Sequence, residues 1–260
     1  MKYAKHGVAL LFLLYLFVFG IDSLGIYLTG VFNGDVSFLY FIYLILYSLL
    51  LIGILFWFKR QKIATHSNRQ IWKWSYLGYF AFVLLWFFFE RWVLQTFQDF
   101  LVPVVHQTKL PSSIYLNGPG ISGTLFFILA TVTSPMIEEF IFRGFIGYRL
   151  ERYGKVFTIL FTSLIFSLFH ANITQGVFTF MAGIVFAYVA LEYGFQWAVV
   201  FHMMNNFLFA VVVDIYLART MIFGDFSIVK ILDLAGFIIL VLVLFLKRKE
   251  IKEYIDVNRG

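Results

Sequence analysis

Phe38–Phe58, FLYFIYLILYSLLLIGILFWF, contains no charged residue and no proline. An α-helix needs roughly 20 apolar residues to cross the hydrocarbon core of a bilayer, and this run is long enough. Comparable runs recur at Val8–Phe19, Ile121–Ile137, Val156–Phe169 and Ile231–Leu246. The 260-residue chain is 62% hydrophobic, 22% aromatic and 13% charged, against about 25% charged in an ordinary soluble domain. Its 20 Lys and Arg and 14 Asp and Glu are too few and too clustered to clothe a soluble surface. The chain reads as an all-α polytopic membrane protein, a bundle of about eight transmembrane helices.

The expected spans lie near 7–29, 36–58, 71–90, 121–142, 156–173, 176–193, 196–217 and 228–246. With the N-terminus inside, most basic residues fall on the inner side, among them Lys2, Lys5, Lys59, Arg60, Lys62, Arg69, Lys73, Arg143, Arg149, Arg152, Lys155 and the cluster from Lys247 to Arg259. Arg91, Lys109, Arg219 and Lys230 are left outside or at the outer edge. The positive-inside rule then places both termini in the cytoplasm of a multi-pass cell-membrane protein. The net charge of +6 is topological on this reading, and no nucleic-acid partner is expected. The first apolar run has the flanking lysines of a signal peptide but no small-residue cleavage site, so it reads as a retained helix. Residues 91–120 carry Pro103, Pro111 and Pro119 and read as an outer loop with interfacial pieces. The expected organisation is therefore N-terminal helices and outer loop over 1–120, a core over 121–217, and a last helix with a basic cytoplasmic tail over 218–260. Zero cysteines exclude a disulfide scaffold, a thiol nucleophile and a cysteine-based metal site.

The informative residues are polar groups placed where lipid should be. Glu138-Glu139-Phe140-Ile141-Phe142-Arg143 closes the fourth span. Each ionised group near a bilayer centre costs about 3 kcal/mol, so adjacent carboxylates need a partner, an interior face or a proton. Glu139 and Arg143, four apart, share a helix face and can pair, which leaves Glu138 about 100° away and free to face something else. His170 ends Phe166-Ser167-Leu168-Phe169-His170 on the fifth span. His202 and Asn206, four apart on the seventh, can aim at one point, with Asn205 turned elsewhere. Singly, each histidine could be a hydrogen-bonded packing residue, and the glutamates could be interfacial. Jointly they offer a general base, metal ligands and hydrogen-bond donors, the parts that peptide hydrolysis uses.

Glu138-Glu139-x-x-x-Arg143, Phe166-x-x-x-His170 and His202-x-x-x-Asn206, in this order on separate segments, resemble the three motifs of the CAAX prenyl protease and bacteriocin-processing (CPBP, or Abi) intramembrane protease family. The resemblance covers roughly residues 121–217. It implies a helical membrane bundle that hydrolyses a peptide bond in a membrane-associated peptide or protein. It makes Glu138 the activator of water and Glu139 with Arg143 the supporting pair. His170 becomes a ligand or water-positioning group, and His202 with Asn206 a ligand or oxyanion stabiliser. Two mechanisms stay open: Zn²⁺ held by His170, His202 and Glu138, or a metal-free site in which Glu138 takes the proton and His202 and Asn206 stabilise the oxyanion. The helical His-Glu-x-x-His zinc signature is absent. The substrate and the oligomeric state stay open; a leader peptide, bacteriocin precursor or peptide pheromone of a bacterium is favoured over a prenylated CAAX peptide.

Competing readings are a non-proteolytic regulator that binds another membrane protein, such as a sensor kinase, and a proton-relaying transporter. The transporter lacks the inverted internal repeat common in such folds. A rhomboid-like serine in Gly120-Ile121-Ser122-Gly123 is better read as a helix start after Pro119. One conflict remains at this stage. At about 1.5 Å per residue, His170 lies about 22 Å beyond Lys155, whereas Glu138 is a turn or so from Arg143. Either the fourth helix continues past Arg143 or the fifth begins outside the bilayer.

Overall fold

The computed structural model describes residues 75–105, 121–170, 173–223 and 227–259, with scattered helical positions between 42 and 53. The first expected span and most of the second lie outside the described residues. Every regular element among the described residues is a helix.

Helix α1, Ser75–Val105, runs well into the segment expected to be an outer loop. It passes straight through Glu90 and Arg91, which the sequence reading used as the end of a span. Both are buried, at 4% and 5% exposure, because each has a partner on another helix. The charges that looked like an edge are interior contacts.

The run 121–153, here α2, is one continuous rod with local changes of winding. An α-helix (Ile121–Ile128) widens to a π-turn (Leu129–Thr133), returns to α (Ser134–Glu139) and widens again (Phe140–Gly147). It ends in a short α-turn (Tyr148–Leu150) and a 3₁₀ turn (Glu151–Tyr153). Pro135 accounts for the first widening. In the π-turn the Ser134 N–H reaches back five residues to the Leu129 carbonyl, so the Ala130 carbonyl would need an N–H at position 135, which proline lacks. That carbonyl is open to a partner from elsewhere.

Gly154, at φ 99°, turns the chain into α3, Lys155–Phe169. Helix α4 follows at Ile173–Tyr193, and Gly194, at φ 108°, turns it into α5, Phe195–Phe223. A positive φ suits glycine at these helix ends because it has no Cβ to clash. Helix α6 is Ser227–Leu246, and the tail forms α7, Arg248–Val257.

Packing follows from small residues and rings. Helices α3 and α4 run antiparallel with Ser163 against Gly183, where an added Cβ would come within 3.0–3.2 Å of the serine. Ser167 Oγ donates to the Gly176 carbonyl at 2.7 Å along the same seam. Small residues permit this approach, as in helix pairs in lipid. Antiparallel α1 and α6 stack Phe89 on Phe237 at 5.6 Å, and any side chain at Gly236 would collide with Phe88. Parallel α1 and α5 are joined by Tyr79 OH, which donates to the Trp197 carbonyl at 2.7 Å, and by the Phe82–Phe201 and Phe87–Phe209 ring pairs. Outward faces stay apolar: Phe157, Leu160, Phe161, Leu164 and Leu168 on α3 are exposed, as are Ile238, Ile239 and Leu242 on α6. Among the described residues, one helix, Gln175–Tyr193, is long and apolar enough by length and composition to cross a membrane.

The depth conflict is settled by α2. It continues past Arg143 to Tyr153, so Gly154 sets the turn, and Glu138 precedes that glycine by as many residues as His170 follows it. Phe142 packs against Phe166 and Phe169 at 5.2 and 5.6 Å, which fixes this level pairing of α2 and α3. Arg143 is an interior residue and not an inner-loop one.

Candidate active site

Glu139 is fully buried and takes two donors on one oxygen. Arg143 Nη1, one turn along α2, donates to its Oε1 at 2.9 Å, and His202 Nδ1 of α5 reaches the same Oε1 at 2.9 Å. The second arm of the guanidinium, Nη2, donates to the Gly183 carbonyl of α4 at 3.0 Å. The guanidinium also lies over Phe166 at 4.6 Å and near Phe186 at 5.6 Å. A buried arginine needs this much: a carboxylate, a carbonyl and aromatic faces offset the loss of water. Glu139 Oε2 and Arg143 Nε are buried without a protein hydrogen bond.

His202 is held from three sides. Its ring stacks on Phe186 at 4.5 Å with 22° between planes, and it meets Phe166 edge-on at 5.7 Å. A carboxylate at Nδ1 is an acceptor for a proton on that nitrogen, and in that tautomer Nε2 presents its lone pair. Nε2 lies 3.8 Å from Glu138 Oε2. That separation is too long for a direct hydrogen bond and suits a bridging water. Glu138 differs from its neighbour in exposure, 20% for its side chain against 0% for Glu139. Two adjacent carboxylates thus occupy opposite nitrogens of one imidazole, a sealed one that orients it and an accessible one that faces it.

The other two expected residues lie further out. His170 caps the end of α3, with Nδ1 2.8 Å from the Phe166 carbonyl, and its ring meets the Phe166 ring at 4.8 Å. Both histidines therefore pack on the same phenyl group, but His170 makes no ion pair with either glutamate. Asn206 Nδ2 donates to the Ala130 carbonyl at 3.0 Å, the acceptor that Pro135 leaves open. His202 and Asn206 share a helix face as expected, yet they bond separate points of α2. Asn205 points to α1, where its Nδ2 donates to Glu90 Oε2 at 3.1 Å.

The residues expected to hold Zn²⁺ were Glu138, His170 and His202. Glu138 and His202 approach each other, while the Phe166 carbonyl engages His170. Among the described residues no group of three or more His, Asp or Glu side chains could hold a metal. Glu138, His170 and His202 do not converge on one point in this arrangement.

The reading from sequence did not find Phe186, Gly183 or Glu90. Gly183 had a signal, since Gly176 and Gly183 lie seven apart on one face of an apolar helix. Glu90 had one too, a carboxylate between Phe87-Phe88-Phe89 and Trp92. Phe186 had none.

Residues 120–208 match the family model described as Type II CAAX prenyl endopeptidase Rce1-like, in agreement with the resemblance drawn from the motifs. All six motif residues lie within the matched segment; α1 and α6 lie outside it. Neither a curated protein nor a solved structure gives a match.

Proposed function

We propose that the chain is a CAAX-type intramembrane endopeptidase in which Glu138, with no metal, activates the attacking water. The Rce1-like family of residues 120–208 implies a protease. The single observation that carries the mechanism is His202 flanked by Glu139 at Nδ1 and Glu138 at Nε2.

A water between Glu138 Oε2 and His202 Nε2 would donate one hydrogen to each and direct a lone pair at the scissile carbonyl. As its oxygen bonds to the carbonyl carbon, Glu138 takes the proton. The negative charge moves to the carbonyl oxygen, and the second Nδ2–H of Asn206 would be its donor. Collapse breaks the C–N bond, and Glu138 returns the proton to the leaving amine. Glu139 and Arg143 hold the imidazole in the required tautomer and orientation.

The surrounding reading is a multi-pass bundle of about eight spans with both termini cytoplasmic. The parallel course of α1 and α5 and the antiparallel course of α6 against α1 support it, as does the positive-inside distribution. The substrate is a membrane-associated peptide or protein, and a bacterial leader or pheromone precursor is favoured. The test is Glu138→Gln, purified in detergent and assayed on a panel of short membrane-proximal peptides. Turnover should fall by about 10² to 10³ or more with the protein still folded. Near-normal turnover sinks the assignment and favours a scaffold that binds a membrane partner.

A further inference from the structure

Helix α1 lies outside the family-matched segment, yet it sends a buried carboxylate to the helix that carries His202. Glu90 Oε2 accepts Asn205 Nδ2 at 3.1 Å and Trp86 Nε1 at 3.1 Å. Nothing in the proposed mechanism uses this group. A carboxylate in an apolar interior carries a desolvation cost that a leucine would not, so the position calls for an acceptor.

The geometry of α5 shows what the acceptor does. At 100° per residue, Asn205 sits about 60° to one side of His202 and Asn206 about 40° to the other. Asn205 is tied to α1 through Glu90, and Asn206 is tied to α2 through the Ala130 carbonyl. Rotating α5 in either direction stretches one of these bonds, and His202 lies between them. The α1 end of the tie is itself held. Arg91, the next residue, donates from Nε and Nη2 to the two oxygens of Asp233 on α6 at 3.0 and 3.2 Å. The close approach of Phe88 to Gly236 leaves no room for α1 to slide past α6.

We propose that Glu90 is a positioning residue that sets the rotation of α5 and, through it, the aim of His202 between the two glutamates. The role rests on the proposed active site, but the bond network exists whether or not the protein cleaves peptides. A carboxylate oxygen that accepts both the indole and the amide N–H makes the link from one atom, and glutamine has an oxygen for the same task.

The experiment compares Glu90→Gln, Glu90→Leu and Asn205→Ala in the full chain in detergent, with two readouts. The first is steady-state kinetics on a peptide that the wild type cleaves. Displacement of a reacting group by about 1 Å from a distant change costs on the order of 10²-fold. Glu90→Leu and Asn205→Ala should therefore lose about 10- to 10²-fold in kcat with KM within about threefold, and Glu90→Gln should restore most of it. The second readout is the imidazole NMR signal of His202. Its Nδ1–H resonance should move in Glu90→Leu and Asn205→Ala and stay in place in Glu90→Gln. If Glu90→Leu does not fold, Asn205→Ala tests the same link from the other end. Unchanged His202 resonances in Asn205→Ala overturn the proposal, as does a Glu90→Gln variant as impaired as Glu90→Leu. If no variant of the chain cleaves any peptide, the resonance still decides the positioning role, and the functional reading alone fails.

Discussion

Glu139 Oε1 is the atom on which the site turns, because it receives Arg143 from its own helix and His202 from another. Removing its charge leaves a buried guanidinium without its counter-ion. Breaking a buried pair from one side costs about 3–5 kcal/mol. Glu139→Gln should thus lower the thermal unfolding temperature as well as activity, whereas Glu138→Gln should lower activity alone. A Glu139→Gln variant with wild-type thermal stability would show that the pair carries little of the fold. At this scale the sequence was most legible where the relation is local. The Glu139–Arg143 pairing follows from a spacing of four, and so do the separate directions of Asn205 and Asn206. That His202 receives both glutamates was not legible, since it depends on how α5 faces α2, and no local spacing contains that fact.

The helices show why span edges were harder to read than span centres. Charged residues mark an edge only when they face water. Glu90, Arg91 and Arg143 each found a partner inside, so α1 and α2 run through them. The winding of α2 was equally hidden, although its cause, Pro135, is in plain sight. The seam between α3 and α4 gives a prediction at this scale. Gly183 combines a close approach to Ser163 with a carbonyl that holds Arg143. The Cβ of Gly183→Ala would come within 3.1 Å of the Ser163 Cα, which is backbone and cannot swing aside. The helices must part, at a cost of about 1–3 kcal/mol. Thermal unfolding should fall accordingly and peptidase activity should fall with it; a fully active, equally stable Gly183→Ala would show that the seam has slack.

For the whole molecule, the arrangement around a single imidazole bears on the metal. The carbonyl of Phe166 engages His170 Nδ1, and Glu139 engages His202 Nδ1. Prolonged treatment with a strong chelator should therefore leave peptide turnover intact, and metal analysis of the purified protein should show far less than one equivalent. Activity lost to the chelator and restored by added zinc would mean that His170 leaves its carbonyl and joins the other two donors. The three motifs themselves fall on three separate helices, and of their six residues Glu138, Glu139, Arg143 and His202 come together, while His170 and Asn206 bond carbonyls nearby.

The tail bears on one more property. Tyr254 OH of α7 donates to Glu192 Oε1 at 2.9 Å, Lys155 Nζ donates to the same oxygen at 2.6 Å, and the Val156 N–H bonds the Asn258 carbonyl at 3.2 Å. These bonds tie the start of α3 to the end of α4 and to the tail. Residue 258 is made long after the helices it braces. At about 5–20 residues per second, the ribosome takes on the order of ten seconds to travel from one to the other. For that interval the start of α3 and the end of α4 meet at Glu192 without Tyr254, so the final setting of these two helix ends waits until the tail emerges.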